Sequence, residues 1–237
     1  MTRRRWIADE VSGGSAFLTG SHADHLVRVL RVRVGQEFDI ATGDTVHLGR
    51  VTAVSGERVE FQLGEEVSSA ATARITLLLA IFKFDRMEWA IEKCTELGVA
   101  KIIPVIALRS DAHLAAASAK RLERWNRLAL QAAEQSRRPA PPEIATPMKF
   151  AEAIKLSSPL RVLLSETENQ AMLRDVLSGS RQGEEILLAI GPEGGWTAEE
   201  LDAFQKESWL SASLGGTILR AETAAIAATA IASAMLG

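Results

Sequence analysis

The spacing of apolar positions divides the chain into two parts. From Val27 to Val34, β-branched or apolar residues alternate with Arg28, Arg31 and Arg33. That period of two predicts a half-buried strand, or a short helix running into one. Turns at Gly35-Gln36-Glu37, Thr42-Gly43-Asp44 and Ser55-Gly56-Glu57 then separate short strands at Phe38–Ala41, Val46–Val51 and Val59–Leu63. Closely spaced short strands with glycine turns suggest a small barrel. The polar, small-residue run from Glu65 to Thr72 reads as a linker, giving domains at 1–68 and 73–237.

Beyond it, strands alternate with helices. Ile75–Ile81 is a continuous apolar run, as expected of a strand covered on both faces of a parallel sheet. Asp85–Leu97 places Met87, Ala90, Ile91, Cys94 and Leu97 on one helical face and stops at Gly98. Val99–Ile106 predicts a second strand, Lys120–Ser136 a basic helix, and Leu160–Leu164 and Ile186–Ile190 two more buried strands. The class is α/β with a parallel sheet of at least four strands.

Charge sharpens this picture. The net charge is −3, but residues 1–34 carry six Arg against three acids, and 101–142 carry eight Lys or Arg against three. The remaining segments are acidic. Positive charge confined to two segments suits a localised anionic partner, although solvated helix faces give the same bias. Cys94 is the single cysteine and cannot form an internal disulfide. His22 and His25 are the closest histidines, and no metal site is expected. No apolar leader follows Thr2-Arg3-Arg4-Arg5-Trp6, and Ala224–Leu236 is too short to span a bilayer, so a cytoplasmic setting is expected.

Two segments carry candidate chemistry. Gly191-Pro192-Glu193-Gly194-Gly195-Trp196-Thr197 follows one buried strand directly, and Thr197 and Glu200 have capping-box spacing for the next helix. Three glycines around Pro-Glu leave backbone groups uncovered at the carboxyl end of a strand, where open α/β sheets bind ligands. A tight strand-to-helix turn is the alternative. Leu214-Gly215-Gly216-Thr217-Ile218-Leu219-Arg220-Ala221-Glu222 opens an Ala-rich final helix, whose small side chains permit close approach to another backbone or a partner subunit. Here the alternative is an ordinary helix entry with a surface ion pair. No GxGxxG after a strand and no P-loop pattern is present.

Taken together, IGPEGGWTAEE and LGGTILRAETA resemble the paired signatures of the RsmE family of the SPOUT superfamily. Lys83–Trp89 leading to Lys93–Val99, the Glu134-Gln135-Ser136 segment, and His25-Leu26 with Val29-Leu30-Arg31 are similar to other parts of that family. Trp196-Thr197 replaces its usual Phe-Ser, and Thr217 stands where an Arg is common. The resemblance implies a SPOUT-type knotted parallel sheet with a C-terminal trefoil knot, preceded by a small PUA-like β-barrel domain. It also implies S-adenosyl-L-methionine (SAM) as methyl donor, a homodimer, and methylation of uridine N3 at position 1498 of 16S ribosomal RNA in the small ribosomal subunit. Carried onto this chain, the cofactor-binding residues are Leu164, Glu166, Ile190, Gly191, Pro192, Glu193, Gly194, Gly195, Leu214, Gly215, Ile218, Leu219 and Arg220.

Uracil N3 is not nucleophilic until its proton leaves. A guanidinium could stabilise the anionic base and a carboxylate could take the proton. Arg220, Glu222 and Glu193 are the catalytic candidates, each with an orienting or ion-pair role as its alternative. Because N3 is the pairing atom, the target must be unpaired or flipped out. Arg3, Arg4, Arg28, Arg31, Arg109 and Arg138 are the candidate RNA contacts. A ribose 2′-O-methyltransferase of the same superfamily and an inert RNA-binding factor are the competing functions.

Overall fold

The computed structural model describes residues 4–43, 45–67 and 74–237. The chain forms two compact units: the described residues of Met1–Ala70 with Ala133–Ala140, and those of Ala71–Ala132 with Pro141–Gly237. The expected junction between domains lies outside the described residues, as do Ser68–Thr72 of the expected linker and Asp44 of one turn.

The first unit contains β1 (Arg5–Ile7), β2 (Glu10–Ser12), β3 (Ser15–Thr19), α1 (Gly20–Asp24), β4 (Glu37–Thr42), β5 (Thr45–Val54) and β6 (Arg58–Glu66). They form a six-stranded sheet ordered β1-β4-β5-β6-β3-β2 around a core of Leu18, Leu26, Ile40, Val51, Val59 and Phe61. Register shifts in β5 bend the sheet, and among the described residues no ladder joins β1 to β2. The expected barrel is therefore a curled, incompletely closed sheet.

Two expectations are corrected here. Glu65 and Glu66 end β6 instead of starting a linker. The Val27–Val34 alternation forms no strand: His25–Val29 is a helical turn, of π type, as the second reading allowed, but it runs into an irregular segment. Arg31 adopts φ 51°, which breaks extended pairing, and only Val32 of the stretch is buried.

Also within this unit, the His22 ring lies between two carboxylates. Nδ1 is 3.0 Å from Asp9 and Nε2 is 2.8 Å from Glu134. Chiefly through Glu134, with Asp9 adding and burial opposing, the imidazole is pushed up to about 9. Arg5 donates to the Arg137 carbonyl.

The second unit contains β7 (Ile75–Ala80), α2 (Phe84–Glu96), β8 (Lys101–Ile106), α3 (Ala112–Ala117), α4 (Leu122–Gln135, its last turn counted with the first unit), β9 (Glu143–Ile144), β10 (Met148–Lys149), α5 (Phe150–Ala153), β11 (Leu160–Leu164), α6 (Leu173–Leu177), β12 (Ile186–Ile190), α7 (Ala198–Lys206), β13 (Leu210–Ala212) and α8 (Ala221–Leu236). Seven strands form an all-parallel sheet, ordered β10-β8-β7-β12-β11-β13 with β9 beside β8. Every residue of β7 and β12 is buried, as their unbroken apolar runs require.

Helix α2 turns Met87, Ala90, Ile91 and Cys94 into the core, and α8 packs against it, with Ala225, Ala228 and Thr229 among its buried residues. The Thr229 hydroxyl reaches Cys94 Sγ at 3.4 Å, and burial pushes the thiol up to about 12, so it stays protonated. Chain direction across the sheet reverses between β7 and β12, the position where open sheets form ligand crevices.

Candidate active site

Three loops leave the carboxyl ends of neighbouring strands β11, β12 and β13 and enclose a cavity of about 370 Å³. That volume lies within the roughly 300–1,000 Å³ of small-molecule sites. Of the residues carried over from the family, Leu164, Glu166, Ile190, Gly191, Pro192, Glu193, Gly195, Leu214, Gly215, Ile218 and Leu219 line it. Gly194 and Arg220 do not. Gly194 faces the Arg109 side chain, and Arg220 is an exposed N-terminal residue of α8 flanked by two wall residues, Leu219 and Ala221.

Glycine is demanded at two of these positions. Gly195 has φ +68°, and a Cβ there would stand 2.8 Å from Glu166 Oε1. At Gly191 a Cβ would press on the Trp196 ring at 3.3 Å. That indole is itself fixed, since its Nε1–H donates to the Leu164 carbonyl at 3.2 Å and ties the β12 loop to the end of β11. Helix α7 starts as expected, with Thr197 and Glu200 satisfying each other's backbone N–H groups.

A brace from outside the cavity holds the same loop. After β8, Arg109 donates to the carbonyls of Gly194 and Trp196, and the Leu108 N–H donates to the buried Glu200 carboxylate at 2.8 Å. Arg109, an RNA candidate on sequence, therefore commits its Nη1 to the glycine loop.

The catalytic candidates Glu193 and Glu222 are brought together by a residue the sequence reading passed over. Arg86, in the first turn of α2, reaches Glu193 Oε1 at 2.6 Å and Glu222 Oε1 at 3.8 Å. Glu193 lies on the cavity wall, whereas Glu222 is 3% exposed, does not line the cavity, and has no partner for its Oε2 among the described residues. A cation placed where the helix dipole opposes it was the available signal for Arg86. The wall residues Ser213 and Met172 were also missed, because β13 and the loop ends could not be located from pattern alone.

The RNA candidates are distributed unevenly. Arg4, Arg28 and Arg31 are exposed on the first unit, where Arg28 pairs with Asp24 at 3.3 Å. Arg138 is half-buried in that unit, and burial lowers its guanidinium to about 10. Arg3 lies outside the described residues.

The sequence matches the model of an RNA methyltransferase domain over residues 69–233 and that of an RNA methyltransferase PUA domain over 18–64. It is 34% identical to the ribosomal RNA small subunit methyltransferase E of Synechocystis sp., over 96% of this chain and 76% of that protein. The chain belongs to the ribosomal RNA small subunit methyltransferase E family. The Rickettsia conorii member is 33% identical, covering 90% of this chain and 87% of its own. The Neisseria gonorrhoeae member, solved with SAM bound, superimposes with a TM-score of 0.85 at 30% identity, over 99% of this chain and 98% of the other. The fold is accordingly that of the family, a SPOUT methyltransferase sheet with a PUA-like N-terminal unit.

Proposed function

We propose that this protein transfers a methyl group from SAM to N3 of a uridine in 16S ribosomal RNA, position 1498 in the usual numbering. The observation that carries the reading is the cavity at the ends of β11, β12 and β13. Its loop is shaped by the protein's own packing, with Gly195 closed against Glu166 and Gly191 against Trp196, so the cavity walls are fixed in place. Leu164, Ile190 and Leu219 offer apolar surface, and Glu166 and Ser213 offer polar partners. When bound, SAM supplies an electrophilic methyl group.

The chain's own residues do the rest. The braced loops orient both reactants, and proximity supplies much of the rate. Glu193 on the wall accepts the N3 proton: the N–H bond breaks, its electron pair stays on N3, and the proton moves to a carboxylate oxygen. We assign residues 1–68 to RNA binding and 73–237 to catalysis, with Arg3, Arg4, Arg28 and Arg31 holding the RNA backbone. Arg109 and Arg138 are better read as structural, given their partners and burial. We further propose a homodimer, a C-terminal trefoil knot and a cytoplasmic location. The return of α8 from the sheet edge to α2 and β7 supports the knot, and the small-residue face of α8 supports a close partner.

The test is calorimetry with SAM, followed by incubation of unmodified small subunits and naked rRNA with SAM and mass-spectrometric mapping. Micromolar binding and a methyl on uracil N3 are expected. Absence of SAM binding rejects the enzyme, and a methyl on ribose or another base atom rejects the assignment.

A further inference from the structure

The groups around Arg86 are out of balance. Two carboxylates, Glu193 and Glu222, share one guanidinium, and one oxygen of the buried Glu222 has no donor among the described residues. A buried charge with an unmet lone pair is destabilising, and well-packed apolar side chains serve stability as well or better. The position of the cation adds to the cost, since a helix N-terminus disfavours positive charge. Glu222 is itself favourably placed in the first turn of α8, but stability asks neither for the cation at the start of α2 nor for the unmet oxygen.

Sheet order explains how it arises. Strands β7 and β12 are neighbours, with Leu79 opposite Ile190, so the first turn of α2 and the glycine loop leave the sheet side by side. Arg86 and Glu193 meet there although 107 residues separate them. Helix α8 brings Glu222 behind the pair, while its neighbours Ala221 and Ala224 form cavity wall.

We propose that Arg86 is a positioning residue which fixes the Glu193 carboxylate on the cavity wall, with Glu222 acting from behind as its second anchor. The inference rests on the proposed uridine methylation and assigns the roles within it. Glu193 meets the substrate. Arg86 holds one of its oxygens, leaving the other to face the base. Glu222 has no access to the cavity and acts only through Arg86.

Arg86→Met, Arg86→Lys, Glu193→Gln, Glu222→Gln and the Arg86→Met/Glu193→Gln double variant test the proposal, each checked by melting temperature and SAM calorimetry. The expected result is that R86M and E193Q each lower kcat about 100-fold, with SAM Kd within threefold of wild type. The double variant should be no worse than E193Q alone, because both changes remove one function. R86K should recover part of the loss, and E222Q should lower kcat about fivefold at unchanged KM. Multiplicative losses in the double variant, or wild-type kcat in R86M, overturn the proposal. Should R86M fail to fold, E222Q decides: wild-type kcat there, in a chain that binds SAM normally, also overturns it. A wild-type enzyme that leaves uridine unmethylated removes the proposed function instead, so the two failures are distinguishable.

Discussion

The Glu200 carboxylate accepts the Leu108 backbone N–H at 2.8 Å, joining positions 92 residues apart. Its other oxygen accepts the Thr197 N–H at 2.8 Å, so one side chain caps α7 and pins the loop after β8. Glu200→Ala leaves two N–H groups without their acceptor. The expected loss of stability in urea titration is roughly 2–3 kcal/mol, with Glu200→Gln losing about half of that. A loss below about 0.5 kcal/mol in the Ala variant would show that the brace carries no load.

Arg109→Met removes the donors to the Gly194 and Trp196 carbonyls while keeping an apolar stem. The glycine loop then loses its outer support. SAM affinity should fall about five- to tenfold by calorimetry, roughly 1–1.4 kcal/mol. The salt dependence of RNA binding should stay the same, because a phosphate contact would change the slope by about one unit. The opposite pattern returns Arg109 to the RNA interface.

Gly195→Ala adds a Cβ where Glu166 already stands, at a backbone angle of +68°. Either the loop leaves that conformation or Glu166 leaves the cavity wall. A cost of order 1–3 kcal/mol is expected for a non-glycine residue held there. Calorimetry should show at least tenfold weaker SAM binding; unchanged affinity would mean that the loop conformation is dispensable.

His22 gives the first unit a pH dependence. Its folded-state value lies at about 9 against an ordinary 6.5, so the fold favours the protonated ring. The stabilisation is complete below about pH 6.5 and is lost as pH rises through about 9. Wild type should out-melt His22→Gln at pH 6 by on the order of 3 °C, with the gap closing by pH 10. A gap that stays constant across that range would rule out the ion pairs with Glu134 and Asp9 as its source.

What could be read from the chain beforehand was local. β11 and β12 begin and end at the residues their apolar runs indicate, and the Thr197–Glu200 capping box forms as spaced. The glycine loop was legible for the same reason, since its conformation is written within seven residues. Period two at Val27–Val34 misled because a π turn followed by a left-handed Arg31 leaves Val29 and Val34 exposed beside the arginines, so the alternation does not mark a buried face. The strands β1, β2, β9, β10 and β13 are two or three residues long, too short to show a period. The pairing of Arg86 with Glu193 was out of reach, because it depends on which strands are neighbours, and no local pattern encodes sheet order.

The cavity draws its walls from residues 164 to 224 of a 237-residue chain. As synthesis proceeds from the N-terminus, the apolar strands that scaffold it are complete long before it can exist. Only when the first turn of the last helix is seated do all three loops have their places. Affinity for a small ligand therefore depends on that seating. A ligand that binds this cavity reports on, and by mass action favours, the fold in which residues 164–224 have found their places.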